Sequence, residues 1–344
     1  MAASHEAPEF MPIHKALIAS VVNPSLARDL RGRVRRVADP ESPLDPLEQL
    51  ALKVGLVQGR AAPRFSTPSL VVFAADHGLA VDNISADEPR TTAATVHCLV
   101  TEQLPLASLC RGRGLSLMIV DSGIAEPTER HDLLHARKIA HGTRNSRLGT
   151  AMSMEQVQAA IRAGIEIGQS LDGNAVACSG IGVGSVHSAA LVLSALSKVS
   201  PWEFIGEGAG VRADVHDHAV LVLERVRQRH IELTDPIEVL AAIGGFEVAM
   251  MVGLMLSAAA RRFVILPDGL PACAALMVAS AVAPGLADYC VHTRSNRLAT
   301  LARALALFDA NADVELDVDA IDGTGATLTW SLVSAAADLL SNAP

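Results

Sequence analysis

Near the C-terminus an aspartate, Asp322, sits among small residues in Ala320-Ile321-Asp322-Gly323-Thr324-Gly325-Ala326. It follows an apolar and acidic run, Val314 to Val318, and precedes a segment patterned as a helix. Glycine on its C-terminal side lets another molecule approach the backbone, so the carboxylate could take a proton from a substrate nitrogen or oxygen. It could equally cap the helix that follows. Two glycine-rich segments come after apolar runs: Ser179-Gly180-Ile181-Gly182-Val183-Gly184-Ser185 and Gly206-Glu207-Gly208-Ala209-Gly210-Val211. In such segments backbone N–H groups can point at an anion, and a helix N-terminus adds partial positive charge. Gly180, Ile181, Gly182, Gly206, Gly208 and Gly210 are therefore candidate phosphate ligands. Neither segment is followed by Gly-Lys-Ser/Thr and neither has G-x-G-x-x-G spacing, so the usual nucleotide fingerprints are missing.

Two further groupings carry titratable side chains. Asp76-His77-Gly78 closes an apolar run and reads as an acid–base or metal-ligand pair, or as a structural strand end. No second His or carboxylate lies at ligand spacing, which favours the structural reading. Asp214-Val215-His216-Asp217-His218 has metal-binding composition, but a solvated helix start explains it more simply. No metal site is expected. No Ser–His–Asp arrangement is readable and no G-x-S-x-G occurs.

The elements that must position these residues alternate in type. Short apolar runs at Ser69 to Ala74, Leu115 to Val120, Asn174 to Cys178, Trp202 to Ile205 and Phe263 to Leu266 predict strands buried on both faces. Helical patterns separate them at Ser153 to Leu171, Ser188 to Ser197, His218 to Arg229 and Pro236 to Ala260. The first sixty or so residues read as mostly helical, with Asp45 to Val57 presenting a broad apolar side. Alternation predicts an α/β fold, a parallel sheet flanked by helices, whose ligands sit at the carboxyl ends of the strands. Asp76, Asp121, Ser179-Gly180, Gly206 and Asp268 all fall there.

Composition narrows the classes. The chain of 344 residues is 50% hydrophobic yet only 3% aromatic, favouring helices packed on a parallel sheet over a β-sandwich. A formal charge of −9 and few stacking aromatics argue against nucleic-acid binding, while leaving local phosphate binding open. The five cysteines are scattered and never form C-x-x-C, which predicts reduced thiols in the cytoplasm. The N-terminus lacks the order of a signal peptide, and Gly269 to Ala287, apolar but holding Pro271 and Pro284, reads as a buried helix rather than a membrane span.

With these segments placed, the chain resembles the nicotinate-nucleotide:dimethylbenzimidazole phosphoribosyltransferases of cobalamin lower-ligand assembly, from about residue 45 to the C-terminus. Phe73-Ala74-Ala75-Asp76-His77-Gly78 is similar to the family's D-H-G strand end. Gly142-Thr143-Arg144-Asn145 followed by Ala151-Met152-Ser153 is similar to its G-T-x-N…A-M-[ST] stretch, and Gly180-Ile181-Gly182 to the core of its G-E-M-G-I-G-N-T-T loop. Gly244-Gly245-Phe246-Glu247 and Asp268-Gly269 resemble its G-G-x-E…D-G region. The resemblance implies a Rossmann-like large domain and a small helical domain built from both chain ends: 1–64, then 65–300, then 301–344 returning with Asp322. It implies a homodimer without cofactor. Nicotinate mononucleotide would be donor and a benzimidazole-type base acceptor, giving an α-glycosidic nucleotide and nicotinate. Asp322 would be the catalytic base, and Asp76, His77, Asp268, Gly323 and Gly325 would shape the site.

The departures fall on the chemistry. Asp322 stands where the family has a glutamate, which places the carboxylate roughly 1.5 Å back from the same backbone position. A misplacement of about 1 Å can cost on the order of a hundredfold in rate. Cys178-Ser179 replaces Glu-Met, and no lysine occurs between Gly206 and Arg229; in the segment that the resemblance makes the base pocket, Ser85 to Thr95, Thr95 stands where members commonly have glutamine. Two readings remain: a divergent phosphoribosyltransferase, or a nucleotide-binding or interaction paralogue that kept the fold and lost turnover. Retention of a carboxylate at 322 favours the enzyme. A nicotinamide-dinucleotide oxidoreductase ranks below both, lacking its fingerprint.

Overall fold

The computed structural model describes residues 18–37, 45–86, 88–205, 212–295, 299–308, 312–316, 318 and 322–341. Its strands are β1 (Ser69–Ala75), β2 (Ser116–Gly123), β3 (Leu134–Ala136), β4 (Ala175–Ile181), β5 (Val264–Asp268), β6 (Thr293–Ser295) and β7 (Val314–Leu316). Its helices begin with α1 (Pro24–Val37), α2 (Asp45–Gln58), α3 (Thr92–Val100), α4 (Leu106–Gly112), α5 (Met154–Ser170) and α6 (Ser185–Ser197). They continue with α7 (Ala213–Arg229), α8 (Pro236–Ile243), α9 (Phe246–Ala260), α10 (Gly269–Val282), α11 (Ala299–Ala306) and α12 (Thr324–Ser341).

The main sheet is parallel in the order β3-β2-β1-β4-β5. Residues of β1, β4 and β5 are buried throughout, as continuous apolar runs require. The α9 helix crosses β1, β2, β4 and β5 and is buried from Phe246 to Ala259, which is why its sequence shows no polar face. Local signals fix several starts: Ser153 and Gln156 form a capping box on α5, and Asp235 caps α8 ahead of Pro236. The C-terminal helix α12 packs against α1, α2 and α4.

Four of the five expected strands are present. The exception is Trp202 to Ile205, where Pro201–Glu203 is a 3-10 turn closed by Phe204 N–H on the Pro201 carbonyl at 3.1 Å. Proline has no N–H for a ladder, and the apolar run records the burial of Phe204, not a strand. The expected helix from Pro236 to Ala260 is two helices, since Gly244 and Gly245 are extended. The helices expected from Ser188 and His218 begin earlier, at Ser185 and Ala213. The strand expected to end at Cys178 runs on to Ile181, because β1 supplies ladder partners to Ser179, Gly180 and Ile181. The edge strand β3 and the β6–β7 pair carry no apolar run long enough to signal a strand.

Candidate active site

In this strand order β1 leads to β2 on one side while β4 lies on the other, so the sheet has its switch point between β1 and β4. A cavity of about 590 Å3 opens there. One wall is the segment after β1, with Ile84, Ser85, Glu88, Pro89, Arg90, Thr92 and Thr95. A second is the end of β4 and the start of α6, from Gly180 to His187. Ile205 and the α7 residues Val215, His216 and Ala219 add a third, and Asp322 reaches it from the turn before α12.

Asp322 does both things its sequence allowed. Its Oδ1 accepts from the Thr324 amide at 3.2 Å and the Thr324 hydroxyl at 2.7 Å, an Asx-type turn that starts α12. It also lines the cavity. Behind it Asp268, 5% exposed, accepts from the Ala326 amide at 3.0 Å. Burial pushes the Asp268 carboxyl up to about 6; the Asp322 charge adds to that, and the Ala326, Gly325 and Gly269 amides oppose it. Gly325 permits this approach, for a Cβ there would lie 2.8 Å from Asp268 Oδ1, while Gly323 takes a left-handed φ of +103°.

The turn after β4 is held from the β1 side. Thr92 donates to Asp76 Oδ1 and accepts from the Val183 amide at 2.9 Å, while Asp76 Oδ2 accepts from the Ala125 amide at 2.7 Å. Gly182 has φ +150°, and a Cβ there would fall 1.7 Å from the Ala75 carbonyl oxygen, so only glycine fits. The Gly184 amide donates to Glu88 Oε1 at 3.3 Å. Gly180 and Ile181 form cavity wall from within the sheet. Gly206, Gly208 and Gly210, with the rest of the second glycine segment, lie outside the described residues.

Beneath the turn sits a buried polar cluster. His77 Nε2 lies 2.9 Å from Glu247 Oε1, and the Ser185 hydroxyl donates to the same oxygen at 2.8 Å. His77 is 4% exposed and Glu247 0%. Burial works against a charged imidazole, but the Glu247 carboxylate and its hydrogen bond, with Asp76 and Glu88 farther off, outweigh it and raise the His77 pKa. This is an ion pair, not a nucleophile relay, because Ser185 and His77 both bond the carboxylate instead of each other. Gly245 makes room for it: a Cβ there would be 2.3 Å from both Glu247 Oε2 and His77 Cε1.

The remaining titratable groups sort by environment. Burial lowers His187 to about 4, with His77 and His216 pushing the same way, so the imidazole is neutral. Its Nδ1 lies 3.4 Å from the Ser85 hydroxyl. Burial raises Glu88 even though Ser85 and the Gly184 amide bond it. Cys178, where the resemblance expects glutamate, is fully buried and its thiol is pushed up by burial, so it supplies no charge. His218 bonds the Asp82 carbonyl at 2.7 Å, and no group of three metal-ligating side chains occurs among the described residues. Sequence reasoning missed Glu88 as a site residue and quoted Glu247 without a role.

A parallel α/β sheet with a glycine turn, a cavity and a carboxylate at its switch point is an arrangement that suits binding of a nucleotide-like ligand. A family model described as a phosphoribosyltransferase matches residues 19–344. A nicotinate-nucleotide–dimethylbenzimidazole phosphoribosyltransferase of Cupriavidus necator is 35% identical, the match covering 97% of this chain and 95% of the relative. One from Janthinobacterium sp. is 32% identical, covering 94% of each. The crystal structure of such an enzyme from Thermus thermophilus superposes with a TM-score of 0.84 at 26% identity, covering 93% of this chain and 96% of that one. The chain belongs to the nicotinate-nucleotide:dimethylbenzimidazole phosphoribosyltransferase family, and it is an enzyme of the phosphoribosyltransferase class.

Proposed function

We propose that the protein transfers the phosphoribosyl group of nicotinate mononucleotide to a benzimidazole-type base, as its relatives' names describe. The observation that carries this reading is that Asp322 lines the same cavity as the glycine turn and the segment from Ser85 to Thr95. An acceptor ring nitrogen attacks C1′ of the ribosyl group from the face opposite the leaving base. The bond from C1′ to the pyridinium nitrogen breaks, its electron pair neutralises that nitrogen, and nicotinate departs. Asp322 takes the proton from the acceptor's other ring nitrogen, giving the α-nucleotide. The cationic leaving group carries its own activation, so the step needs neither metal nor cofactor. Apolar walls (Ile84, Val186, Ile205, Val215 and Ala219) keep water from the electron-poor C1′.

We assign the donor phosphate to the glycine segments, Gly180 to Gly182 together with Gly206, Gly208 and Gly210. The Val183 and Gly184 amides are already engaged by Thr92 and Glu88, so phosphate binding at Gly184 requires Glu88 to let go. Asp76, His77, Asp268, Gly323 and Gly325 hold the walls. We further read the protein as a cytoplasmic homodimer, with the small domain formed by residues 1–64 and 301–344. Among the described residues no helix is long and apolar enough to cross a membrane. The test is release of nicotinate from nicotinate mononucleotide by purified protein, with and without dimethylbenzimidazole, followed by chromatography. Acceptor-dependent release that Asp322→Asn abolishes is the expected result; equal release by that variant would overturn the assignment of the base.

A further inference from the structure

The cavity surface is mostly apolar, and its lining carries three side chains of ordinarily charged type, Glu88, Arg90 and Asp322. Ile84, Pro89, Val186 and Ala219 offer apolar contact to a flat bicycle. The same lining carries a carboxyl group, Glu88, which accepts a long hydrogen bond of 3.3 Å from the Gly184 amide and is also bonded by Ser85. A carboxylate has about four acceptor positions, so Glu88 keeps capacity beyond these two bonds. Ser85 also leans on the neutral His187, so the polar patch spans three side chains.

We propose that Glu88 selects the acceptor: it recognises a bicyclic base carrying a hydroxyl or amino donor on the edge away from the attacking nitrogen, and disfavours one whose edge bears only methyl groups. The inference rests on the phosphoribosyl-transfer reading given above. Asp322 and Glu88 come from different walls of one cavity, so an acceptor spanning it would present the ring nitrogen that gives up its proton to Asp322 and its far edge to Glu88. Methyl groups pressed against Glu88 would strip it of water and return nothing. A hydroxyl or amino group would donate to it, and a hydrogen bond to a charged group is worth roughly 10- to 100-fold in discrimination.

The experiment compares kcat/KM for hydroxybenzimidazole and dimethylbenzimidazole with nicotinate mononucleotide as donor, in the wild-type protein, Glu88→Leu and Glu88→Gln. The wild type is expected to prefer the hydroxylated base by about 10-fold or more. Glu88→Leu should lose that preference or reverse it, and Glu88→Gln, which still accepts a hydrogen bond, should keep part of it. A wild type that prefers the dimethyl base, or a ratio unchanged in Glu88→Leu, overturns the role of Glu88 and leaves the transfer reading standing. No transfer to either base by the wild type ends both. The wild-type ratio decides even if a variant fails to fold.

Discussion

Asp268 Oδ2 accepts the Ala326 amide at 3.0 Å, tying the end of β5 to the first turn of α12 and fixing the loop that carries Asp322. The two aspartates divide the work: Asp268 is the buried anchor and Asp322 the carboxylate at the cavity.

That anchor has a pH signature. The Asp268 pKa is raised to about 6 from an unfolded value near 3.8, so the folded state binds its proton more tightly. The stability contributed by that proton is complete below about 4 and disappears as pH rises through about 6. Urea unfolding of wild type and Asp268→Asn between pH 4 and 7 is expected to show the wild type losing ground to the variant as pH rises. A difference that stays constant with pH would mean the carboxyl titrates normally.

Two substitutions at Asp322 separate chemistry from capping. Asn keeps an Oδ1 that can accept from Thr324, so Asp322→Asn should lower kcat by on the order of a hundredfold or more with little change in Tm. Ala removes the acceptor as well, and Asp322→Ala should cost about 1 kcal/mol of stability in addition. Asp322→Glu restores the longer side chain. A faster reaction with dimethylbenzimidazole in that variant would show that the shortened reach is what limits it.

Removing one partner of the buried ion pair strands the other. His77→Ala should destabilise the fold by roughly 3–5 kcal/mol, because Glu247 is then a fully buried carboxylate that keeps only the Ser185 hydroxyl. The double variant His77→Ala/Glu247→Ala should be less destabilised than the sum of the singles, measured as a double-mutant cycle. Since the His77 pKa is raised, the pair's stabilisation is fullest below the unfolded value of 6.5 and is lost as pH rises through the folded one.

Gly182 is an attractive position for probing phosphate binding, but the neighbouring strand β1 forbids the probe. Gly182→Val, or even Gly182→Ala, places a Cβ on the Ala75 carbonyl and demands a φ of +150°. A loss of at least ~2 kcal/mol in stability is expected before any ligand is added. A Gly182→Ala protein with wild-type Tm would mean that the turn readily rearranges.

How much of this could be read from the chain depends on distance along it. The β1 run, the Asp76-His77-Gly78 corner and the helix after Asp322 were legible because each is a local pattern. Trp202 to Ile205 misled because apolarity reports burial, and only Pro201 hinted that no ladder forms. Glu247 had no readable role because its partner His77 is 170 residues away, and two glycines that break a helix are what bring it there. Glu88 was hidden for the opposite reason. It sits in a polar stretch whose neighbours give no periodicity, and only the fold turns it toward the Gly184 amide.

The Thr92 hydroxyl stands at a junction. It belongs to the first turn of α3, which forms part of the wall after β1, yet it bonds the Val183 amide in the turn after β4 and Asp76 at the strand end. A base that displaces α3 must either carry the turn with it or break that bond. One oxygen atom thus ties the wall after β1 to the turn after β4, so neither can shift alone without breaking a hydrogen bond.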